Sequence, residues 1–476
     1  MIEKTDEWNM IRPSASQTSS LQRPDSQGQA RKIPPGPRVR LSGDVGDAPQ
    51  DALQFFLNLT RQYGDLVRYE SPYGVTYLVN RPDYIERVLH HNNYQRAKNY
   101  PFKIVLGEGL LSSEGRGWLR QRRLVQPDFH QHRVVAFGPL ITSATTVMLE
   151  RWQAFADRGQ SPNVPSEMVE LALDVVVKAF FNDNLNSEKA TVIREASAVL
   201  IDDLGDFVNT VFTVPVSFSP ARNRAFRTLL QRVDTIVYDT INERRQNQDR
   251  NEQTHDLLSL LLSARNEMGQ GFSDRQLRDE VVTMLFAGSE SVALMLSWAW
   301  YLLAKHPAVE RRLHAELDRA LNGRLPTVED LPNLPYTRMV LEESMRLYPP
   351  VWALYRQAMA DDEIDSYHIE ANAAMVVSAY SMHRHPSYWE NPDQFDPGRF
   401  GPDLADGRPR YAYFPFGGGR HLCLGNHFAM MEGQLVLATV AQRYRLHVVP
   451  SHPVEPLPAV TLRQRHGLPM ILEARP

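Results

Sequence analysis

The sequence predicts a mainly α-helical protein with small β-sheets, and three observations support this prediction. Apolar residues recur at helical spacing over about 30 residues from Ser273 to Ala304. The stretch from Asn426 to Tyr444 shows the same spacing. The alternation typical of strands is clear in few places, of which Gly64 to Arg81 is one. Helices are therefore expected to dominate the fold.

Composition narrows the class of protein. The chain has 476 residues, 42% of them hydrophobic, so it can bury a large core. Length alone suggests two or three domains, since one core rarely exceeds roughly 250–300 residues. Lys and Arg number 52 against 56 Asp and Glu, a net charge of −4 without long single-sign blocks, so nucleic-acid binding has no electrostatic support. A single cysteine excludes an intramolecular disulfide and fits a reducing cytoplasm.

The chain divides into a leader and a folded region. Residues 1–32 are rich in Ser, Gln, Arg and Asp and lack the apolar segment of a secretory signal, so a disordered leader is predicted. Residues 33–476 are predicted to fold. Val281 to Ala304 is long enough to span a bilayer, but Glu290 lies in its middle, which favours a buried core helix.

The first folded elements have local signals. Gly64 to Arg81 predicts a hairpin that turns at Ser71 to Gly74, and Pro82 to His90 predicts a short helix. Asn92 to Gly117 holds glycines and apolar residues without periodicity, so it is expected to be irregular.

Trp118 and Arg122 lie four residues apart, which places an indole N–H and a guanidinium on one helix face. Taken alone, the pair is more typical of a solvated basic helix with a half-buried Trp than of an anion site, although two donors converge there. Gln131 to Gln246 is predicted to be helical with a break near Pro215 to Pro220. Apolar residues near the break belong either to the core or to a mobile lid; they are Phe207, Phe212, Val214 and Phe218.

The helix from Ser273 has a capping box with Gln276, and Pro307 ends it. Halfway along lies Ala287-Gly-Ser-Glu-Ser291, where Gly costs about 1 kcal/mol in a helix. Burying an unpaired carboxylate is costly, so Glu290 is interpreted as functional. The alternative is a tolerated kink or a satisfied polar network.

The only cysteine lies in the segment Phe416-Gly-Gly-Gly-Arg-His-Leu-Cys423-Leu-Gly425, directly before the helix from Asn426. The unpaired N–H groups at that helix N-terminus would stabilise a thiolate, which favours Cys423 as a metal ligand. A buried packing cysteine is the alternative.

The order Phe416-x-x-Gly419-x-x-x-Cys423-x-Gly425 resembles the haem-thiolate loop of the cytochrome P450 superfamily, whose cysteine is the axial iron ligand. Other motifs of that family stand in order before it. They are Trp118-x-x-x-Arg122, Ala287-Gly-Ser-Glu-Ser291, Glu343-x-x-Arg346 and Pro397-Gly-Arg399-Phe400. The resemblance spans about Ile33 to Leu472 and implies the cytochrome P450 fold, with a long central helix over haem b.

The resemblance implies a set of site residues. Cys423 would bind iron, and Glu290 with Ser291 would be catalytic by delivering protons. The other residues expected to contact the cofactor are Trp118, Arg122, Arg356, His421, Phe416, Gly419, Gly425 and Ala287. Glu343, Arg346 and Arg399 would form a structural core, although Glu343 and Arg346 alone read as a weak surface ion pair. Three positions depart from the family pattern: Ser291 replaces threonine, His421 replaces arginine, and Gly398 stands where an acid is common.

The resemblance also implies a function. A haem-thiolate monooxygenase would insert one atom of O₂ into a hydrophobic small molecule, such as a fatty acid, terpenoid or steroid. An oxygen-independent enzyme, either a peroxygenase or an isomerase, is the alternative, and a haem-binding sensor is a further one. No Gly-x-Gly-x-x-Gly follows a strand, so electrons are expected from a ferredoxin or flavodoxin-type donor with its reductase.

Further expectations concern partners and location. Arginines near the Trp118 and Cys423 motifs are predicted to form a donor-docking patch, namely Arg116, Arg120, Arg123, Arg408, Arg410 and Arg420. Ile33 to Pro37 resembles the family's proline-rich hinge, and no anchor helix is expected before it. A cytoplasmic monomer is expected, and His383 and His385 resemble a common surface loop rather than metal ligands.

Overall fold

A computed structural model describes residues 32–37, 51–71, 74–96, 103, 105–181, 188–193, 195–196, 220–246, 256–402 and 407–475. The helices of the first half are α1 (Ala52–Tyr63), α2 (Pro82–His90), α3 (Gly115–Val125), α4 (Gln131–Val134), α5 (Gly138–Asp157), α6 (Val164–Phe181) and α7 (Pro220–Gln246). Those of the second half are α8 (Leu257–Ser263), α9 (Asp274–Lys305), α10 (Pro307–Leu321), α11 (Pro335–Leu347), α12 (Ala379–Met382) and α13 (Asn426–Arg443).

The strands are short. They are β1 (Leu66–Ser71), β2 (Gly74–Val79), β3 (Tyr94–Arg96), β4 (Ala353–Ala358), β5 (Asp362–Ile364), β6 (Tyr367–Ile369), β7 (Ala374–Ser378), β8 (Tyr444–Val448), β9 (Pro456–Pro458), β10 (Leu462–Gln464) and β11 (Met470–Ala474). One five-stranded sheet has the order β1-β2-β7-β4-β3, with only β2 and β7 parallel. Two-stranded sheets pair β5 with β6, β8 with β11, and β9 with β10.

The register of the five-stranded sheet places two arginines side by side. Strand β3 runs antiparallel to β4, and Arg96 lies directly opposite Arg356. Like charges directly opposite each other on neighbouring strands repel. The pairing therefore brings two cations together at the edge of the sheet.

Helix α9 is the centre of the fold. It has 32 residues, which at 1.5 Å per residue makes it about 48 Å long. Ser273 caps it through the capping box with Gln276, as predicted. It packs along α6 and also contacts α7, α11 and α13. Among the described residues, α9 is the helix whose length and apolar composition would allow it to cross a membrane. However, 78% of its most apolar segment is buried inside the protein, as expected of a core helix.

The pair Glu343 and Arg346 is fully buried, so it is not the surface ion pair that their spacing alone suggests. Arg346 donates two hydrogen bonds to Glu343, at 2.6 and 2.8 Å. It also donates to the carbonyls of His383, Pro392 and Gln394. Arg399 completes the cluster at 3.4 Å from the Glu343 carboxylate. The arrangement ties α11 to the segment before the cysteine loop.

Most predicted elements are confirmed. The hairpin forms β1 and β2, the short helix is α2, and the helices carrying Trp118, Glu290 and Asn426 lie where expected. The predicted break near Pro215 to Pro220 lies outside the described residues except for Pro220, which begins α7. The apolar residues assigned to the core or a lid, and most of the predicted leader, also lie outside the described residues. His383 is buried and its Nε2 accepts the Phe414 N–H, so the expectation of a surface position was wrong.

Candidate active site

The cysteine loop is fixed by backbone contacts. The Cys423 N–H donates to the Phe416 carbonyl at 3.0 Å. Gly419 has a φ of 64°, and a Cβ there would lie 2.1 Å from the Leu89 carbonyl oxygen, so only glycine fits at this contact. Gly425 precedes the first residue of α13, where a Cβ would meet open space. The loop is therefore held against helix α2 while Cys423 remains accessible.

Opposing effects act on the Cys423 thiol. Burial raises its pKa, while the Gly425 N–H and the charge of Arg122 lower it. The side chain is nevertheless exposed, so the sulfur faces an opening within the protein rather than the close packing of a core cysteine. The start of α13 adds the positive end of a helix dipole. Burial is the largest of these effects, so the pKa of the free thiol lies above its ordinary value. Arg122, the Gly425 N–H and the start of α13 are the groups that would stabilise negative charge on the sulfur when it binds a positively charged partner.

A cluster of cations lies beside the loop. Arg356 is buried, with 4% exposure, and burial followed by the charge of Arg96 lowers its pKa to about 10. Burial also lowers the pKa of Arg96, and Arg122 and Arg420 lower it further. Glu114 is the carboxylate that pairs with Arg96, at 3.2 Å. The cations outnumber this carboxylate, so the site favours an added anion.

His421 is hydrogen-bonded on both sides within the protein. Its Nδ1 lies 2.6 Å from Arg96 Nη2, and its Nε2 lies 3.1 Å from Glu114 Oε1. A guanidinium only donates, so Nδ1 accepts and Nε2–H donates to the carboxylate. Burial lowers the His421 pKa to about 4, which keeps the ring neutral at pH 7. Both nitrogens are thus used within the protein, and the cation beside His421 is Arg96.

Trp118 and Arg122 lie beside this cluster. The Trp118 ring is 4.2 Å from the His421 ring and 3% exposed. No acceptor for its indole N–H is found in the described part of the chain, so this donor is available to a ligand. Arg122 donates through Nε to Gln126 at 3.2 Å, and the Cys423 sulfur is its electrostatic partner.

The middle of α9 has one accessible face. Met284, Ala287, Gly288 and Ser291 are at least partly accessible, whereas their neighbours Ser289 and Glu290 are buried. The spacing of three and four residues puts the accessible ones on one stripe of the helix. We call this set the α9 stripe. It is uncharged and mainly apolar. The long central helix over haem that the resemblance predicts would place the candidate pocket between this stripe and the cysteine loop.

Glu290 is paired, contrary to the assumption behind its functional interpretation. Its Oε1 accepts from Thr461 at 2.8 Å and from Arg463 Nε at 2.7 Å. The predicted alternative, a satisfied polar network, therefore describes its contacts. Ser291 Oγ donates to the Ala287 carbonyl at 2.9 Å and lies on the α9 stripe. Thus Ser291 is the member of the predicted catalytic pair on the accessible face of the helix.

A cytochrome P450 family model matches residues 34–468. The chain belongs to the cytochrome P450 family. It is 31% identical to cyclooctatin synthase of Streptomyces melanosporofaciens over 93% of this chain and 96% of that protein. It is 33% identical to cyclooctat-9-en-7-ol 5-monooxygenase of the same species, over 92% and 93%.

Other comparisons agree. Pentalenene oxygenase of Streptomyces avermitilis is 29% identical, over 88% of this chain and 92% of that protein. A crystal structure of the cytochrome P450DA heme domain superposes with a TM-score of 0.84, covering 94% of this chain and 98% of that one at 23% identity. The fold is thus that of P450 heme domains, and the chain is an enzyme of the P450 monooxygenase class with a haem-thiolate cofactor.

The residues present fit such a cofactor. Cys423 supplies an accessible sulfur. The neighbouring cations Arg96 and Arg356 have one carboxylate beside them, Glu114, so they could also bind the carboxylate side chains of a haem. Arg96 was not predicted as a site residue, because strand β3 has only three residues and shows no clear alternation in the sequence. Only its pairing with β4, about 260 residues later, places it in the site.

Proposed function

We propose that this P450 inserts one oxygen atom from O₂ into a terpenoid or a similarly hydrophobic small molecule. The observation that carries this proposal is the α9 stripe, whose accessible residues are uncharged and mainly apolar. Two relatives are named for terpenoid oxidation, cyclooctat-9-en-7-ol 5-monooxygenase and pentalenene oxygenase. Fatty acids and steroids remain candidates on the same chemical grounds.

The cofactor is proposed to be haem b, held by Cys423 through its sulfur. Arg96, Arg356 and Trp118 would bind its carboxylates by charge and by the indole N–H. When bound, the haem supplies the activation of O₂, and the thiolate favours O–O cleavage. The protein holds the sulfur in place through the Phe416 carbonyl and the glycine contact with α2.

Protons are proposed to reach the pocket through Ser291. Its hydroxyl lies on the accessible stripe and rests on the Ala287 carbonyl, from which it can rotate to donate elsewhere. Glu290 is bound by Arg463 and Thr461 on its buried side. This hydroxyl and acid favour a monooxygenase over the peroxygenase alternative, whose members replace both residue types.

A separate ferredoxin or flavodoxin-type protein with its reductase is proposed to supply electrons. Four of the arginines predicted for its docking patch are exposed, namely Arg116, Arg123, Arg410 and Arg420. The other two arginines of the predicted patch, Arg120 and Arg408, make contacts within the protein. Arg120 donates to the Gly271 carbonyl at 2.5 Å, and Arg408 lies over the Trp389 ring at 4.0 Å. A cytoplasmic monomer is part of the same proposal.

The test is turnover with a surrogate ferredoxin and reductase under ¹⁸O₂. Terpene alcohols and hydrocarbons, fatty acids and steroids are compared, first by substrate-induced shifts of the haem spectrum. One labelled oxygen is expected in each oxidised terpenoid product. Product that lacks the label, or that forms without O₂, would contradict the monooxygenase proposal; conversion confined to fatty acids or steroids would contradict the terpenoid assignment.

Ser291→Ala should uncouple electron use from product formation. Loss of the hydroxyl should lower product per NADPH by up to about 10²-fold, the lower end of general acid–base effects, with peroxide rising. Ser291→Thr keeps the hydroxyl and should retain coupling. Ser289→Ala is the matched control, because Ser289 makes the same kind of bond, to Leu285 at 2.8 Å, on the buried face. Equal coupling in the Ser291→Ala and Ser289→Ala proteins would remove the proposed role.

A further inference from the structure

The loop from Val105 to Ser113, which we call the roof loop, lies on the N-terminal half of α9. Three consecutive helix residues each bind one of its backbone groups. Arg278 donates to the Val105 carbonyl at 3.0 Å, Asp279 accepts the Glu108 N–H at 2.9 Å, and Glu280 accepts the Leu110 N–H at 3.1 Å. The helix thus holds the loop by its backbone.

The contact is close because two loop residues are glycines. A Cβ on Gly109 would lie 2.1 Å from Thr283 Oγ1, and one on Gly107 would overlap the Asp279 carboxylate. On the opposite side, Arg96 donates to the Leu110 carbonyl at 3.2 Å. Glu280 therefore binds the N–H of Leu110, and Arg96, one of the cations beside the cysteine loop, binds its carbonyl.

Glu280 lies on the same helical face as the α9 stripe. It precedes Met284 by four residues, Ala287 by seven and Ser291 by eleven, which are helical repeats of one face. The stripe is accessible from Met284 onwards, whereas Glu280 is covered by the roof loop. The roof loop therefore closes one end of the proposed pocket.

The burial of Glu280 is unusual for an acid. It has 0% exposure, and its Oε1 and the nearby Thr283 Oγ1 lack hydrogen-bond partners within the described residues. A single hydrogen bond, from the Leu110 N–H, offsets only a small part of the free energy needed to bury a charged carboxylate. Burial raises the pKa of Glu280 to about 8, and the charge of Asp279 raises it as well.

The charged groups around Glu280 do not neutralise it as an anion. On its own helix, Arg278 binds Asp234 of α7 at 2.7 Å and Asp279 at 3.0 Å, so its charge is already shared between two acids. The roof loop itself contributes Glu108, which pairs with Lys103 at 2.9 Å. Arg96 reaches the loop from β3 and pairs with Glu114.

We propose that Glu280 is a positioning residue that holds the roof loop closed over the pocket as a neutral carboxylic acid, so that opening of the loop is coupled to loss of its proton. Opening exposes the carboxyl to water, where it ionises at its ordinary pKa of 4.5. The closed form thus binds one more proton than the open form between these two pKa values. Closure is favoured at low pH and weakens as pH rises towards about 8.

Hydrogen exchange of the Glu108 and Leu110 amides in the haem-loaded protein tests this coupling. From pH 6 to pH 8, after correction for the intrinsic exchange rate, the opening equilibrium of the wild type should rise about 50-fold. Glu280→Gln keeps an acceptor for the Leu110 N–H but cannot ionise, so its opening equilibrium should be flat. Thr283→Val is the matched control and should keep the wild-type slope.

A flat profile in the wild type, or an equal slope in Glu280→Gln, would overturn the proposal. If Glu280→Gln does not fold, Glu280→Met takes its place, because it fills a similar volume without a titratable group and should also give a flat profile. Persistence of the wild-type slope in that protein would likewise overturn the proposal. The measurement needs neither turnover nor substrate, so its failure would leave the proposed function standing.

Discussion

Replacing Arg346 with alanine is expected to destabilise the protein by about 3–5 kcal/mol. Arg346 and Glu343 both have 0% side-chain exposure, and Arg346 makes five hydrogen bonds to Glu343, His383, Pro392 and Gln394. Removal of the guanidinium leaves the Glu343 carboxylate buried, with Arg399 at 3.4 Å and the Asp396 N–H as remaining partners. It also leaves three carbonyls without their donor.

The measurement is urea unfolding of the haem-loaded protein, followed by circular dichroism. The matched control is Arg338→Ala on the same helix, because Arg338 pairs with Glu342 at 3.0 Å but is 63% exposed. An exposed helical pair contributes about 0.3–0.5 kcal/mol, so the control should unfold near the wild type. Equal unfolding midpoints for the two alanine variants would contradict the buried-cluster interpretation.

The second large effect is expected at Cys423. Cys423→Ala removes the only thiol of the chain and the atom towards which Arg122 and the Gly425 N–H direct positive charge. Monooxygenase activity should be lost, because the thiolate supplies the electron density that favours O–O cleavage. The fold should survive, since Cys423 is accessible and its backbone bond to Phe416 does not involve the side chain.

Local signals explain which elements the sequence predicts well. The capping box at Ser273 and Gln276, the proline at position 307 and the glycine-rich cysteine loop each act over a few residues. The positions of α9, α13 and the Cys423 loop along the chain are therefore predictable from the sequence. The order of the family motifs adds the remaining cofactor residues by resemblance.

Contacts between distant residues explain what the sequence does not predict. Glu290 meets Arg463 at a separation of 173 residues, and this pairing overturns the assumption of an unpaired carboxylate. Arg96 contacts His421 at a separation of 325 residues, so His421 lies between Arg96 and Glu114, two partners that its own segment does not indicate. The burial of Glu343 and Arg346 likewise depends on segments beyond their helix. Spacing on one element carries no information about such partners.

The reduced, CO-treated absorbance spectrum tests the central claim, that Cys423 is the thiolate ligand of a bound haem. The wild type is expected to show the band at about 450 nm that is characteristic of thiolate-bound haem iron. Cys423→Ala, folded by circular dichroism and supplied with haem, should lack it. Persistence of the band in Cys423→Ala, or its absence from a haem-loaded wild type, would contradict the assignment.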